Sequence, residues 1–455
     1  MLMLTHLKFH NFKSWPVADM QCGRITGIFG TNSSGKTSLL QFLLLMKQTK
    51  DATDRATTLE WTGNLVKLGT FADAVHRHEE DREISWTLGF DLEKPLELKA
   101  ASTERPIDAA KSNKFEISAS VSGNQKSGPS ATSLSYRLGA ATFSLNRNNG
   151  ASSSFNLEAQ NTQNDFRFIR TQGRAWPLPG PIKSYAFPDQ ARTFYQNSVF
   201  LADLEKCYEG LLDNLYYLGP LRVYPERDYQ WARTRPTDVG PKGEKTIDAI
   251  LAARDEIRNL SKNARNKPFE GIVAYWLREL GLIDEFRVEE IAKNSNRWQA
   301  KVRTRAGASE VLLTDVGFGI SQVLPVITLL QYVPEGSIVL LEQPEIHLHP
   351  LAQAALADVL IQAATHRNVQ IILESHSEHL LMRLQRRIAE GDKINADDVR
   401  LYFCDAPKGE SRLTRLEVDM LGSIRNWPAN FMGDAFGETA AAEEARLKRT
   451  MSGKL

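Results

Sequence analysis

Residues 30–37, with the sequence GTNSSGKT, match the phosphate-binding pattern GxxxxGK[ST]. Glycines in this pattern let backbone N–H groups face phosphate oxygens at the start of a helix, and the lysine reaches the β- and γ-phosphates. The hydroxyl of Thr37 is a suitable ligand for Mg²⁺. The sequence therefore predicts a nucleotide site, with the candidate binding residues Gly30, Asn32, Ser33, Ser34, Gly35, Lys36, Thr37 and Ser38.

The elements around this loop have the order that phosphate binding requires. Apolar residues alternate over residues 2–9 and recur over 25–29, which predicts two short strands. Residues 38–50 have the period of a helix and follow the loop closely. This succession of strand, loop and helix places a helix N-terminus against the phosphates.

A second candidate site residue lies far along the chain. Residues 337–341 have the apolar pattern of a buried strand, which ends at Glu342, 306 residues after Lys36. A carboxylate at the end of such a strand is where bound Mg²⁺ needs an acidic group. Thr37 and Glu342 are therefore the predicted metal residues.

The residues that follow Glu342 resemble a known family. Residues 343–350, QPEIHLHP, are similar to the "EPExHLHP" element of bacterial ABC-type ATPases related to SMC proteins and to the overcoming-lysogenization-defect (OLD) family. Residues 315–324 resemble the ABC signature loop, and residues 370–379 resemble a switch strand that ends in a histidine, here His376. Residues 9–14 resemble the opening strand of SMC-like heads, and residues 422–431 resemble a C-terminal segment of an uncharacterised group of prokaryotic ATPases.

The resemblance implies an α/β fold class, an ABC/SMC-head-like P-loop NTPase core with a β-rich insertion and a helical subdomain. The expected segments are the N-terminal half of the ATPase head in 1–90, the insertion in 91–200, the helical subdomain in 201–295, the C-terminal half of the head in 296–405 and a C-terminal segment in 406–455. Two such heads enclose two ATP molecules with Mg²⁺, so a homodimer or a higher homo-oligomer is expected. Nucleotide contacts from the partner head are then expected at Gly317, Gly319, Ser321 and Gln322.

Two positions depart from the family pattern. Gly317 stands where the signature usually has serine, so a side-chain hydroxyl contact to the partner's γ-phosphate is missing. Gln343 stands at the position of the general base, where an amide cannot take up a proton but can still orient a water molecule. Glu345 is the alternative base, or else a structural acid at a helix start. The expected catalytic residues are Glu342, Gln343, Glu345 and His376, with slow or partner-stimulated hydrolysis.

Between the two halves of the head the residue pattern changes. Residues 84–170 alternate apolar and polar side chains, as antiparallel hairpins do, with exposed loops expected at 127–133 and 146–154. Residues 201–218, 246–260 and 269–282 space their apolar residues three or four apart, which predicts three separate helices.

Composition and charge exclude several classes of protein. The chain has 455 residues, and its 56 Lys and Arg against 55 Asp and Glu give a net charge of +1, so no chain-wide basic field attracts nucleic acid. Three widely separated cysteines predict neither a disulfide framework nor a sequence-local zinc site. The sequence has no signal-peptide core and no apolar run of membrane-spanning length, so a cytoplasmic protein without membrane contact is expected.

Two local patterns have alternative interpretations. Residues 222–267 contain 11 Lys and Arg against 7 Asp and Glu, interleaved with aromatic residues, which suits either a nucleic-acid contact or a solvated helix face. Within this stretch, Arg222 is a candidate contact for nucleotide phosphates or for the partner head. His347 and His349 have the HxH spacing of a zinc site, but the family resemblance already accounts for both.

The resemblance leaves more than one function open. The first is an ATPase that controls a separate effector protein, a nuclease or a toxin, in anti-phage defence. The second is an ATP-gated assembly platform with little turnover, and the third is an SMC-like ATPase that acts on nucleic acid in repair. Only 79 residues follow His376, so the Toprim nuclease domain of OLD proteins is not expected. The sequence contains neither membrane spans nor a strong LSGGQ motif, so a transporter is not expected.

Overall fold

The computed structural model describes residues 2–101, 107–124, 128–148, 154–172, 176–260, 265–428, 441–442 and 444–449. The strands are β1 (Met3–Phe12), β2 (Trp15–Gln21), β3 (Ile25–Gly30), β4 (Ile84–Ala100), β5 (Ile107–Asn124), β6 (Gly128–Leu138), β7 (Ala141–Arg147), β8 (Phe155–Gln160), β9 (Leu215–Leu218), β10 (Tyr229–Gln230), β11 (Ile257–Arg258), β12 (Lys267–Pro268), β13 (Glu285–Glu290), β14 (Arg297–Arg303), β15 (Val311–Leu312), β16 (Ile338–Glu342), β17 (Gln370–Glu374), β18 (Val399–Asp405) and β19 (Arg412–Leu416). The α-helices are α1 (Lys36–Asp51), α2 (Phe71–Ala74), α3 (Asp189–Phe194), α4 (Leu201–Asp213), α5 (Thr246–Ala252), α6 (Phe269–Glu279), α7 (Phe318–Tyr332), α8 (Pro350–His366) and α9 (Glu378–Glu390).

The central layer is a six-stranded sheet with the strand order β19-β18-β3-β17-β16-β9. All neighbouring pairs are parallel except β18 with β19. Because parallel strands end at the same edge of a sheet, the phosphate loop after β3 shares one edge with Glu342 of β16 and Glu374 of β17. The structure confirms the expected α/β fold class with a P-loop core.

Strands β16 and β17 are buried on both faces of this sheet. Ile338 and Leu340 pack in one apolar cluster, whereas Val339 and Leu341 pack in the other. Near-continuous apolar runs are typical of parallel strands that are covered on both sides. The apolar run before Glu342 is therefore a buried central strand, as the sequence predicts.

The phosphate-loop helix α1 packs between the central sheet and the second, antiparallel sheet. Its buried residues lie on several faces, and the ring of Phe42 stacks on Phe9 of β1 with 4.7 Å between centroids. Because both sides of α1 are covered, the start of this helix is held firmly beneath the phosphate loop.

The second sheet has the order β2-β1-β4-β5-β6-β7-β8, with all neighbours antiparallel. The hairpins expected over 84–170 are present as β4 to β8. The expected boundary between residues 90 and 91 falls inside β4, and β1 and β2 belong to the same sheet as the insertion. The insertion therefore continues the N-terminal sheet, because its hairpins add to the edge that β4 provides.

Three expectations of secondary structure are wrong, and one expected domain boundary divides a hairpin. The helix expected over 246–260 ends at Ala252, and Ile257–Arg258 form β11, which pairs with β12. Residues 128–133 lie in β6, and Leu134 and Tyr136 of that strand are buried, so this serine-rich stretch is a strand and not an exposed loop. Helix α4 ends at Asp213, and residues 215–218 form β9, the edge strand of the central sheet. The boundary expected at 295 falls between β13 and β14, which form one hairpin.

Among the helices in the described part of the chain, none has the length and apolar character that crossing a bilayer requires.

Candidate functional site

The phosphate loop has a backbone that only glycine can adopt at two positions. Gly30 has a φ of 146° and Gly35 a φ of 88°. A side chain at Gly30 would collide with the carbonyl of Cys404 on β18, and one at Gly35 would collide with the hydroxyls of Ser411 and Ser14. Both glycines are therefore needed for the loop to fit between its neighbours.

The exposed part of the phosphate loop, its crown, consists of Thr31, Asn32 and Ser33. Ser34 is buried, and its hydroxyl donates to the carbonyl of Thr31 at 2.8 Å. Ser38 is buried in the first turn of α1. Backbone groups of the crown thus face solvent, where a phosphate group would approach.

Lys36 lies inside the loop. Its ammonium donates to the carbonyls of Gly30 at 3.2 Å and Thr31 at 2.7 Å. Burial lowers the pKa of Lys36, while the nearby Glu374 and Cys404 oppose that shift. Phosphate oxygens can replace the two carbonyls as acceptors without a large movement of the lysine.

Residues from both ends of the chain support the loop. The indole of Trp15 donates to the carbonyl of Gly35 at 3.0 Å. Ser411 donates its backbone N–H to the carbonyl of Ser14 at 2.9 Å, and the two hydroxyls are 2.6 Å apart. The segment that resembles an SMC opening strand therefore lies directly against the phosphate loop.

The Thr37 hydroxyl donates to Glu374, not to Glu342. The distance from Thr37 Oγ1 to Glu374 Oε2 is 2.8 Å. In the sheet, Glu374 pairs with Ile28 of β3 on one side and with Glu342 of β16 on the other. Strand β17 therefore separates the phosphate-loop strand from the strand that ends at Glu342.

Glu342 is held by a tyrosine of β9. The hydroxyl of Tyr217 donates to Glu342 Oε1 at 2.9 Å. Burial raises the pKa of Glu342 to about 7, the Tyr217 hydrogen bond opposes the shift, and the nearby Glu374 adds to it. Burial also raises the pKa of Glu374, against the hydrogen bond from Thr37 and the charge of Lys36. Two buried acidic groups thus lie side by side at the end of the central sheet.

Gln343 and Glu345 have different surroundings. Gln343 is half-buried with a φ of 45°, and its backbone N–H donates to the carbonyl of Glu374 at 2.9 Å. Glu345 is buried, and its Oε1 accepts the backbone N–H of His376 at 2.7 Å, while its buried Oε2 has no hydrogen-bond partner among the described residues. Glu345 therefore holds the turn that carries His376.

His376 is exposed and lies close enough to Lys36 for the two charges to interact. Burial of part of the ring lowers its pKa, and the positive charge of Lys36 lowers it further. Both effects favour the neutral form of the imidazole.

The signature residues lie at the start of α7. Gly317 is the N-cap and is exposed, whereas the side chains of Ser321 and Gln322 are buried. The Ser321 hydroxyl donates to the carbonyl of Phe318 at 2.9 Å. A side chain at Gly319 would lie 3.1 Å from the carbonyl of His347, so this glycine allows a close backbone approach.

An exposed apolar ledge surrounds this helix start. Phe318 is 56% exposed and Tyr224 is 72% exposed, with 5.5 Å between their ring centroids. Leu351, at the start of α8, is 75% exposed. Large exposed apolar groups near one another are typical of a surface that another molecule covers.

Arg222 is buried inside the chain. Its guanidinium donates to the carbonyls of Gln322 at 3.0 Å, Glu342 at 3.2 Å and Gln343 at 3.3 Å. It therefore connects α7 to the end of β16, and it contacts backbone rather than lying open to a nucleotide.

Most arginines of the basic stretch that the structure describes already have acidic partners. The pairs are Arg227 with Asp315, Arg235 and Arg258 with Glu256, and Arg254 with Glu270. Pairing of this kind favours a solvated structural surface over a nucleic-acid contact.

The described residues contain no group of three or more His, Cys, Asp or Glu side chains arranged to hold a metal. His347 and His349 are both exposed, and His349 Nδ1 accepts the backbone N–H of Leu351 at 3.4 Å. A zinc site at the HxH pattern is therefore not supported. Mg²⁺ places fewer demands on the protein, because phosphates and water supply most of its ligands.

Sequence reasoning missed Tyr217 and Glu374. Tyr217 was missed because its strand follows α4 without a break in the apolar pattern. Glu374 stands two residues before His376, and the identity of its neighbour across the sheet depends on strand order. The sequence offered one local indication of Glu374, which is that it follows a second short apolar run, residues 371–373.

Two family models match the chain. The model described as "AAA domain, putative AbiEii toxin, Type IV TA system" matches residues 25–383, and that described as "Protein of unknown function (DUF3696)" matches residues 394–441. No curated protein is significantly similar in sequence.

Solved structures with similar folds include SMC head domains. The SMC head bound to the C-winged helix domain of ScpA is 10% identical with a TM-score of 0.45, and 92% of this chain and 98% of that chain are covered. The SMC head domain from Thermotoga maritima is 10% identical with a TM-score of 0.39, at 91% and 99% coverage. The Smc head with an extended coiled coil, bound to the C-terminal domain of ScpA from Pyrococcus furiosus, is 10% identical with a TM-score of 0.44, at 92% and 97% coverage.

Proposed function

We propose that this chain, which belongs to the family described as AAA domain, putative AbiEii toxin, Type IV TA system, is a Mg²⁺-dependent ATPase with slow turnover. One observation carries the proposal. Lys36 and Thr37 meet Glu342 and Glu374 at one edge of the central sheet, although more than 300 residues separate the two pairs in sequence. A phosphate loop beside buried carboxylates suits a nucleotide with a divalent cation.

Each loop residue has a role in binding. Backbone N–H groups of the crown and the Lys36 ammonium bind the phosphates, and the Thr37 hydroxyl with Glu342 holds Mg²⁺. Bound there, Mg²⁺ would supply positive charge that stabilises the phosphate groups during transfer. Trp15 and Ser411 keep the loop in place through the contacts to Gly35 and Ser14.

Slow turnover follows from the residue at the end of β16. Gln343 can orient the attacking water through its amide but cannot take its proton. His376 is held in its position near Lys36 by the Glu345 carboxylate, which accepts the backbone N–H of His376. Glu345 is a positioning residue in this proposal, because one of its oxygens is already committed to that bond.

Assembly around the nucleotide is the second part of the proposal. The ledge includes Phe318 in the first turn of α7, where the first backbone N–H groups of the helix have no partner within the helix. A second copy that covers this ledge would present its phosphate loop to the same helix start. ATP binding and homodimer or higher homo-oligomer formation are then linked thermodynamically.

An ATP-gated platform with little turnover is the alternative function, and Gln343 favours it. In this form the ATP-bound assembly holds or releases a separate effector, a nuclease or a toxin, in anti-phage defence. The family description, which names the matched domain itself as a putative toxin, leaves the identity of this effector open.

Steady-state hydrolysis and light scattering test these functions together. The purified chain is measured with and without ATP, and with duplex or single-stranded DNA. Measurable, DNA-independent turnover with ATP-dependent assembly supports the ATPase proposal. Tight ATP binding and stable assembly without turnover favour the platform. Strong stimulation by DNA favours an SMC-like role on nucleic acid, and failure to bind ATP contradicts all three.

A further inference from the structure

Strand order decides which acidic residue lies beside the phosphate-loop helix. Neighbouring strands lie about 5 Å apart, so Glu374 on β17 is about 5 Å from β3, whereas Glu342 on β16 is about 10 Å away. The register places Glu374 directly between Ile28 and Glu342. Glu342, which the apolar strand pattern predicts as the metal residue, is therefore one strand farther from β3 than Glu374 is.

The hydrogen bonds divide the two carboxylates between different partners. Thr37 donates its single hydroxyl proton to Glu374 at 2.8 Å, so the oxygen lone pairs of Thr37 point elsewhere. A metal ion needs such a lone pair. Glu342 instead accepts the hydroxyl of Tyr217 at 2.9 Å, which fixes its Oε1.

Charge gives a second and separate reason. Glu342 and Glu374 are both buried, and among the described residues neither forms an ion pair with a lysine or arginine. The two nearby cations, Lys36 and Arg222, donate to backbone carbonyls and not to these carboxylates. Two adjacent buried carboxylates without a bound counter-charge repel each other, and a divalent cation between them removes that repulsion.

We propose that Glu374 is the second carboxylate of the Mg²⁺ site. It accepts the hydrogen bond of the Thr37 hydroxyl and so leaves the Thr37 lone pairs free to face the cation. It also adds a second negative charge to that of Glu342. This inference rests on the proposed binding of ATP with Mg²⁺. It assigns a metal-site role to a residue outside both the phosphate loop and the end of β16.

The test uses the full chain and the fluorescent nucleotide mant-ATP. Its dissociation constant is measured in EDTA and in saturating Mn²⁺, and the ratio of the two values is the readout. Because free mant-ATP also binds Mn²⁺, the ratio compares the Mn²⁺ affinity of the bound nucleotide with that of the free nucleotide. The contribution of the free nucleotide is the same for every variant, so differences between variants report the protein site. Glu374→Gln keeps an oxygen that accepts from Thr37 and removes only the charge. Loss of a metal-supporting carboxylate costs about 10- to 100-fold in metal affinity, so the ratio is expected to fall by that factor while binding in EDTA stays equal or tightens.

Glu378→Gln is the matched control, since it removes the same charge four residues later in the first turn of α9. Its ratio is expected to stay within about twofold of wild type, because only charges inside the water-excluded site act strongly. Thr37→Val removes the hydroxyl at nearly constant shape. If Glu374 acts through Thr37, the double variant loses less than the product of the two single losses.

The outcomes distinguish failure of the proposed role of Glu374 from failure of the proposed binding of ATP with Mg²⁺. A wild-type ratio in Glu374→Gln, together with a reduced ratio in Glu342→Gln, overturns the role of Glu374 and leaves the ATP site intact. Strictly multiplicative losses in Thr37→Val and Glu374→Gln overturn the route through Thr37. A wild-type chain that binds no mant-ATP, or binds it equally with and without Mn²⁺, overturns both the inference and the proposed function.

Discussion

The two sheets of this protein treat charged side chains in opposite ways. In the seven-stranded sheet, acidic and basic residues face solvent and pair across strands, as Lys114 does with Asp91 at 2.7 Å and Arg137 with Glu116 at 2.5 Å. At the carboxyl edge of the six-stranded sheet, Glu342, Glu345 and Glu374 are buried, and the described residues give none of them an ion pair with lysine or arginine.

The difference shows which part of the chain contains charged groups in an unfavourable environment. Exposed pairs add little stability and cost little, so the insertion sheet is held mainly by its apolar core. Buried carboxylates that form no ion pair cost stability, and such groups persist where a ligand uses them. The carboxyl edge of the central sheet is therefore the part of the molecule prepared for a cation and for phosphate groups.

Removal of the one buried cation in the phosphate loop is expected to have the largest effect. Lys36→Ala should weaken ATP binding at least about 100-fold, because the ammonium supplies charge-assisted hydrogen bonds to phosphate. Fluorescence titration with mant-ATP measures this. Lys114→Ala, which removes an exposed lysine of the insertion, is the control. ATP affinity in Lys36→Ala equal to that of the control would show that the phosphate loop is not the nucleotide site.

Neutralising one buried carboxylate should make the nucleotide-free protein more stable. Glu342 has a pKa of about 7 against an ordinary value of 4.5, so its ionisation at pH 8 opposes folding. Glu342→Gln is expected to stabilise the protein by about 2–3 kcal/mol at pH 8 in EDTA. The gain should shrink as the pH falls below 7 and vanish near 4.5, where both proteins carry a neutral group. Urea unfolding at pH 8 and pH 5 measures it.

That prediction also has a functional counterpart. Mg²⁺ and ATP should raise the free energy of unfolding of wild type more than that of Glu342→Gln, because only the carboxylate binds the cation. The difference in stability between the two proteins should therefore shrink. A variant that is less stable than wild type in EDTA at pH 8 would show that the Glu342 charge is favourable in the free protein, and the contrast between the two sheets would fail.

Restoring a base at the end of β16 should raise turnover. General-base catalysis is worth about 100-fold or more where the base is well placed, and a half-buried side chain with a backbone φ of 45° suits the position only partly. Gln343→Glu is therefore expected to hydrolyse ATP about 10 times faster in a steady-state phosphate-release assay. Gln343→Ala should be slower than wild type. Unchanged turnover in both variants would place the water elsewhere, with Glu345 as the next candidate.

The insertion should tolerate loss of its charges. Lys114→Gln removes an exposed pair with Asp91 and is expected to change the free energy of unfolding by less than about 0.5 kcal/mol. ATP affinity and turnover should not change. A loss of more than about 1 kcal/mol would mean that charge pairs, and not the apolar core, hold this sheet together.

Local patterns in the sequence predicted the phosphate loop, α1 and the buried strand before Glu342, because each depends on residues close in sequence. The strand β9 was missed since Leu215–Leu218 has apolar residues that suit a helix and a buried strand equally. The strand β6 was mistaken for a loop because its exposed face is serine-rich. Glu374 was missed for a different reason: its importance depends on β17 lying between β3 and β16, and strand order is a property of the whole fold.

Calorimetric titration of the full chain with ATP, in Mg²⁺ and in EDTA, tests whether the buried carboxylates belong to a metal and nucleotide site. We expect saturable binding of one ATP per chain that Mg²⁺ tightens, followed by turnover slow enough for the bound state to be observed. Absence of binding at millimolar ATP, or binding that Mg²⁺ leaves unchanged, would contradict the assignment of the buried carboxylates to a metal and nucleotide site.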